Sequence, residues 1–197
     1  MIDHNLTKYN LHRAYNLQQE TSFILVPGQV ADDASVLCSG GPKGDNLSLL
    51  KRARRANPNA FILYKPHTDV ESNLRLGALP KKTILRFADN CLENCGAAQA
   101  LRSCDAVHTG TSLMGFEALL RGISVTTYGQ PFYAGWGLTN DLGPRITRRK
   151  PGLTLLEFLY GCLILYPRYF DLNWLKAPAG RRGTILGLNL DILRRNT

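Results

Sequence analysis

Apolar positions along the chain gather into short continuous runs separated by polar turns, and between the runs they recur at helical spacing. Residues 21–26 and 60–64 are uninterrupted apolar runs of strand length, the pattern of strands covered on both faces in a parallel sheet. Between them Leu47, Leu50 and Ala53 repeat with helical period, while Lys51, Arg52, Arg54 and Arg55 fill the opposite side. This predicts a helix over 47–56, capped by Asn46 and stopped at Asn57-Pro58-Asn59. Residues 83–87 read as a strand and 96–102 as a helix. Residues 106–108 are short and extended, 113–120 have helical spacing with a stop at Gly122, and a further strand follows. A last apolar helix over 153–165 ends at Tyr166-Pro167. Alternation at this spacing predicts an α/β fold, a Rossmann-like doubly wound parallel sheet. The expected organisation is a linker over 1–20, the sheet domain over 21–170, and a crossing segment with a basic tail over 171–197, helical at 185–193.

Composition narrows the class. A chain of 197 residues that is 44% hydrophobic can bury a core and is not a disordered polymer. Twenty-four Lys and Arg against fifteen Asp and Glu give a net charge of +9, which attracts anions of any kind. The basic runs, such as 51–55 and 145–150, are not interleaved with aromatics as a single-strand stacking platform would be, so nucleic acid is the weaker expectation. An anionic substrate or an anionic membrane surface accounts for the charge with less strain. Five cysteines without a Cys-x-x-Cys pair point to a reducing compartment and to neither a zinc ribbon nor a thioredoxin motif. The apolar run at 153–166 is too short, and with Glu157 too charged, to span a bilayer.

Four stretches carry candidate chemistry. The loop Pro27-Gly-Gln-Val-Ala-Asp-Asp-Ala-Ser35 sets Asp32 and Asp33 beyond the first strand; adjacent acids there are solvated, cap the next helix, or serve a site. Lys65-Pro-His67 reaches the same sheet edge, as a phosphate grip or as a surface lysine beside a structural histidine. The Thr109-Gly-Thr-Ser112 corner suits an anion at a helix start, or simply caps the helix through Thr111 or Ser112. The loop 128–137, dense in aromatics and glycines, lies where open α/β sheets bind ligands; the alternative is that Phe132, Tyr133 and Trp136 plug a core edge. Gly40-Gly-Pro-Lys-Gly44 is a turn and not a phosphate loop, because no Gly-Lys-Ser/Thr opens the next helix.

Gly115-Phe-Glu-Ala-Leu-Leu-Arg-Gly122 followed by Thr127-Tyr-Gly-Gln-Pro-Phe-Tyr-Ala-Gly-Trp-Gly-Leu-Thr139 resembles the signature of capsule polysaccharide biosynthesis proteins of the KpsC type, the bacterial β-Kdo glycosyltransferases. The loop at 27–35 and Lys65-Pro-His67 are similar to elements of that family as well, and the likeness spans about residues 9–171. It implies the C-terminal, donor-binding half of a GT-B fold that takes CMP-β-Kdo and transfers Kdo with retained configuration. By that resemblance Asp33, ahead of Asp32, would meet the anomeric carbon, with its neighbour orienting the loop. His67 would donate to the leaving phosphate beside Lys65, and Thr111 and Ser112 would hold that phosphate. Glu117 would bind the ribose hydroxyls, Gln29 would join the donor site, and Gln130, Tyr133 and Trp136 would line the sugar and base pocket. Arg145, Arg148 and Arg149 would meet the sugar carboxylate or the membrane.

No cofactor or metal is implied, CMP-Kdo being a substrate. The implied partners are a polysaccharide or lipid-linked acceptor, a separate acceptor-binding domain or capsule assembly proteins, and the inner face of the cytoplasmic membrane. The acceptor-binding half is expected to be missing from this chain. Two rival readings stay open: a non-catalytic nucleotide-sugar-binding module, and a basic nucleic-acid-binding domain.

Overall fold

A computed structural model describes residues 22–38 and 45–167, together with the backbone of 184–185 and 188–189. The expectations for 1–20, for the turn at 40–44 and for most of 171–197 lie outside the described residues. The strands β1 (Ile24–Pro27), β2 (Ile62–Lys65), β3 (Asn90–Cys91), β4 (Ala106–Thr109), β5 (Ser124–Thr127) and β6 (Asn140–Asp141) form one sheet in the order β3-β2-β1-β4-β5-β6. Every pairing in it is parallel. The helices are α1 (Ala34–Leu37), α2 (Asn46–Ala56), α3 (Thr68–Glu71), α4 (Lys81–Ile84), α5 (Ala97–Arg102), α6 (Leu113–Leu119) and α7 (Leu155–Tyr160). The order reverses between β1 and β4, the doubly wound arrangement the alternation predicted.

The pleat explains the apolar runs. Leu63, Leu25, Val107 and Val125 stand in one cross-strand row, all buried, and α6 packs on β4 and β5. The alternate residues Ile24, Val26, Ile62 and Tyr64 join Leu49, Leu50 and Ala53 of α2 in the core. With both sides covered, neither parity can be polar. Each fully buried leucine, Leu25 or Leu50 for example, contributes roughly 2 kcal/mol of apolar burial.

Several boundaries differ from the sequence reading, each for a local reason. Asp45, not Asn46, caps α2, accepting from Leu47 N at 2.9 Å, and this frees Asn46 for the interior. Leu49 rather than Leu47 is buried with Leu50 and Ala53. The segment 83–87 is not a strand: α4 runs Lys81–Ile84 behind an N-cap at Pro80. Ile84 at its end, with Phe87 and Ala88 in the turn beyond, meets the core at helical spacing, and that period outweighs the β-branched and aromatic composition.

The chain divides into two units, residues 1–155 and 156–197. In the second unit α7 gives way to a π-helical turn over Gly161–Leu165, where the apolar pattern reads as one continuous helix. The pair β7 (Thr184–Ile185) and β8 (Leu188–Asn189) is antiparallel, where a helix over 185–193 was expected. Among the described residues no helix is long and apolar enough to cross a membrane.

Candidate functional site

The C-terminal ends of β1, β2 and β4 deliver three loops to one edge of the sheet, beside the point where strand order reverses. They enclose a cavity of about 310 Å³ whose lining includes Gln29, Asp33 and Ser35 after β1, Lys65 and His67 after β2, and Thr111, Ser112, Met114 and Glu117 after β4. Residues from three separate sequence regions thus share one cavity.

Lys65 ends β2 and is 5% exposed. Among the described residues its Nζ donates one hydrogen bond, to the Pro66 carbonyl at 3.3 Å, although an ammonium carries three donors. Burial lowers its pKa, and the charges of Glu71, Cys95 and Cys91 push it partly back up. An under-coordinated buried cation on a cavity wall favours an anionic ligand, whose arrival supplies the missing acceptors and counter-charge.

His67 caps α3: its Nδ1 accepts from Asp69 N at 3.2 Å. An accepting Nδ1 puts the proton of the neutral ring on Nε2, so the ring keeps one N–H donor. Asp33 caps α1, its Oδ1 accepting from Ser35 N at 2.8 Å and from Ser35 Oγ at 2.6 Å. The carboxylate is therefore fixed in orientation while lining the cavity. Its neighbour Asp32 is turned away to Arg75 at 3.0 Å and does not line the cavity. Glu117 is 4% exposed and adds a second carboxylate to the wall.

The corner after β4 is largely satisfied from within. Thr111 N donates to Gln29 Oε1 at 2.6 Å, Ser112 N to Thr109 Oγ1 at 3.2 Å, and Met114 N to Ser112 Oγ at 3.3 Å. What this corner offers a ligand is hydroxyls rather than a row of amides; the Thr111 and Ser35 hydroxyls lie 3.3 Å apart. Gln29, 8% exposed, couples the first and third loops.

The remaining candidates lie elsewhere. Tyr133 is fully buried, with its Oη donating to the Ser112 carbonyl at 2.6 Å, so it supports the corner from behind. Gln130 donates to the carbonyls of Pro144 and Arg145. Trp136 donates to the Phe132 carbonyl at 2.9 Å and lies under the Arg149 guanidinium. Arg149 in turn donates to the carbonyls of Pro131 and Ala134. The aromatic that does reach the cavity is Phe132, 44% exposed and flanked by Phe116 and Tyr133 at ring separations of 5.2 Å. An irregular loop has no fixed period, so sequence spacing could not select Phe132 over its neighbour. Asp141, which accepts from Thr127 Oγ1, Thr139 Oγ1 and Gly135 N, fixes the loop's path; it too carried no sequence signal.

A family model described as capsule polysaccharide biosynthesis protein matches residues 2–169. The chain is 46% identical over 171 residues to the capsule polysaccharide modification protein LipA of Neisseria meningitidis serogroup B, covering 86% of this chain and 24% of LipA. It is 37% identical over 169 residues to the lipopolysaccharide-processing protein LpsZ of Rhizobium meliloti, covering 83% and 38% of the two. Two solved structures of Thermosulfurimonas dismutans KpsC are similar. The beta Kdo 2,7 transferase has a TM-score of 0.68 and 44% identity over 79% of this chain and 49% of that one. The beta Kdo 2,4 transferase has a TM-score of 0.72 and 33% identity over 85% and 53%. The chain thus spans about a quarter of LipA's length and about half of each KpsC chain.

Proposed function

The chain belongs to the capsule polysaccharide biosynthesis protein family, and from that premise we propose that its cavity binds CMP-β-Kdo as the donor half of a retaining Kdo transferase. The observation that carries the reading is Lys65, a buried amine whose acceptor among the described residues is one carbonyl, on the wall of a cavity that also holds His67, Asp33 and Glu117. A cation for the phosphate, a proton donor and carboxylates are what cleavage of a glycosyl–phosphate bond requires. The similarity to two KpsC Kdo transferases supports the choice of sugar.

In this reading Lys65 and the Thr111 and Ser112 hydroxyls hold the phosphate, and Nε2–H of His67 donates to it as the bond to the anomeric carbon breaks. That charge is met by Lys65 and His67 rather than by a metal ion. Asp33, oriented by its two bonds from Ser35, faces the sugar; its carboxylate stabilises the positive charge at the anomeric carbon and forms the covalent adduct that retention needs. Its orientation into the cavity favours it over Asp32, which Arg75 holds. Glu117 binds the ribose hydroxyls. The acceptor is a polysaccharide or lipid-linked sugar, brought by an opposing wall outside this half, at the inner face of the cytoplasmic membrane.

Calorimetric titration with CMP, with UMP and AMP as controls, is the test. CMP is expected to bind selectively, and Lys65→Ala, His67→Ala and Glu117→Ala each to weaken it about tenfold or more, as loss of a hydrogen bond to a charged group does. Equal affinity for the three nucleotides, or wild-type affinity in the Lys65 variant, would rule the reading out.

A further inference from the structure

The cavity is assembled from loops that leave different strands, and one buried side chain outside its lining ties them together. Asn46, the first residue of α2, is 4% exposed. Its Oδ1 accepts from Gln29 N at 2.8 Å, and its Nδ2 donates to the carbonyls of Gln29 and Gly77, both at 2.8 Å. One acceptor and two donors are all in use, so the amide is clamped in a single orientation.

The Gln29 backbone is thereby gripped on both its N–H and its carbonyl, which leaves the direction of its side chain little freedom. That side chain accepts from Thr111 N at 2.6 Å. Gly77 is held at φ +128, where a Cβ would strike the Gln29 carbonyl, so the loop after α3 is pressed against the same point. Ala31 N, bonded to the Leu76 carbonyl at 2.9 Å, adds a second tie between these two loops. A helix, the loop after β1, the loop after α3 and the corner after β4 therefore converge on two adjacent amides.

We infer that Asn46 is a positioning residue: through Gln29 it sets the corner at Thr111, and hence the spacing between the Asp33 wall and the Thr111 wall of the cavity. It does so without touching the ligand. The part of this inference that concerns nucleotide affinity rests on the donor-site reading above; the part that concerns Thr111 does not.

The test follows amide hydrogen exchange of Thr111 by NMR in the 197-residue chain, alongside CMP affinity, for Asn46→Ala and for the near-isosteric Asn46→Asp. The Asp variant keeps the acceptor for Gln29 N and loses both donors. A core variant remote from the cavity, Ile84→Val, supplies a general loss of stability for comparison. Thr111 exchange is expected to quicken at least tenfold in both Asn46 variants beyond the change in Ile84→Val, and CMP affinity to fall about tenfold, the size of one buried polar group left unpaired. Gln29→Ala should reproduce the Thr111 effect. Unchanged Thr111 exchange in folded Asn46→Asp overturns the relay. Faster exchange in a chain that never binds CMP upholds the relay and removes the donor reading instead.

Discussion

Two buried titratable residues on the strands either side of β1 meet opposite fates. Lys65 lines a cavity wall, while His108 on β4 is sealed into the core at 6% exposure. His108 Nδ1 lies 2.9 Å from Tyr128 Oη, Nε2 lies 3.5 Å from Asn57 Nδ2, and the Arg52 guanidinium sits over the Tyr128 ring. No carboxylate is among these groups, and burial pushes the imidazole pKa down to about 4. Because the unfolded chain still binds the proton near pH 6.5, it holds more protons than the folded chain between those values, and stability rises with pH across that window. Below pH 4 the full penalty, roughly 3 kcal/mol, applies. His108→Gln keeps a partner for Tyr128 and removes the titration. The melting temperature of that variant is expected to fall less steeply than wild type between pH 7 and pH 4.5; identical slopes would show that other groups set the acid limit.

At the scale of elements, α6 shows how a helix is positioned for function from both ends. Its start is bound by Ser112 and backed by Tyr133, and the turn after its C-cap at Leu120 contains Gly122, whose φ is +71. A Cβ on Gly122 would meet nothing within 4 Å, whereas one on Gly115 would collide with the Tyr133 hydroxyl. Gly122→Ala should therefore cost only the left-handed backbone penalty, about 1 kcal/mol. Gly115→Ala must displace Tyr133 and break its bond to Ser112, so a cost of about 3 kcal/mol is expected, with weaker nucleotide binding. Denaturant titration of the two variants checks the order; a larger loss at Gly122 would contradict this account of the helix. The same elements show what a sequence can and cannot disclose. The strands were legible because a sheet covered on both faces demands unbroken apolar runs. Asp33, Lys65, His67 and Thr111 were legible as cavity residues because each falls at the C-terminal end of such a strand or in the loop after it, whereas Glu117, inside α6, was reached only through the family resemblance. The choice of cap between Asp45 and Asn46 was not, since both side chains suit a helix start and it is the Gln29 and Gly77 backbones, outside the helix, that claim Asn46. Nor was Phe132, because tertiary bonds to Asp141 and Arg149 decide which aromatic of an irregular loop turns to the cavity.

For the whole molecule the question is what stands opposite the cavity. Leu37, Leu74 and Leu76 are each about 70% exposed, and Phe132 is 44% exposed. Each belongs to a segment that follows the C-terminal end of β1, β2 or β5, and Phe132 among them lines the cavity. Glycosyl transfer from a charged donor needs that cavity closed, because water competes for the anomeric carbon and the acceptor hydroxyl must be held in line. The chain matches about half of each KpsC transferase, and the proposed division of labour assigns the acceptor to the other half. The 197-residue chain is thus expected to bind CMP yet to transfer no Kdo from CMP-Kdo to an oligosaccharide acceptor by itself. Adding the remaining half of the Thermosulfurimonas KpsC chain, expressed separately, should bring transfer above the level of either piece, as read by mass spectrometry of the acceptor. Transfer by the chain alone would refute the need for an opposing wall. An inactive mixture in which CMP binding is intact would mean that this cavity binds a nucleotide sugar without acting on it.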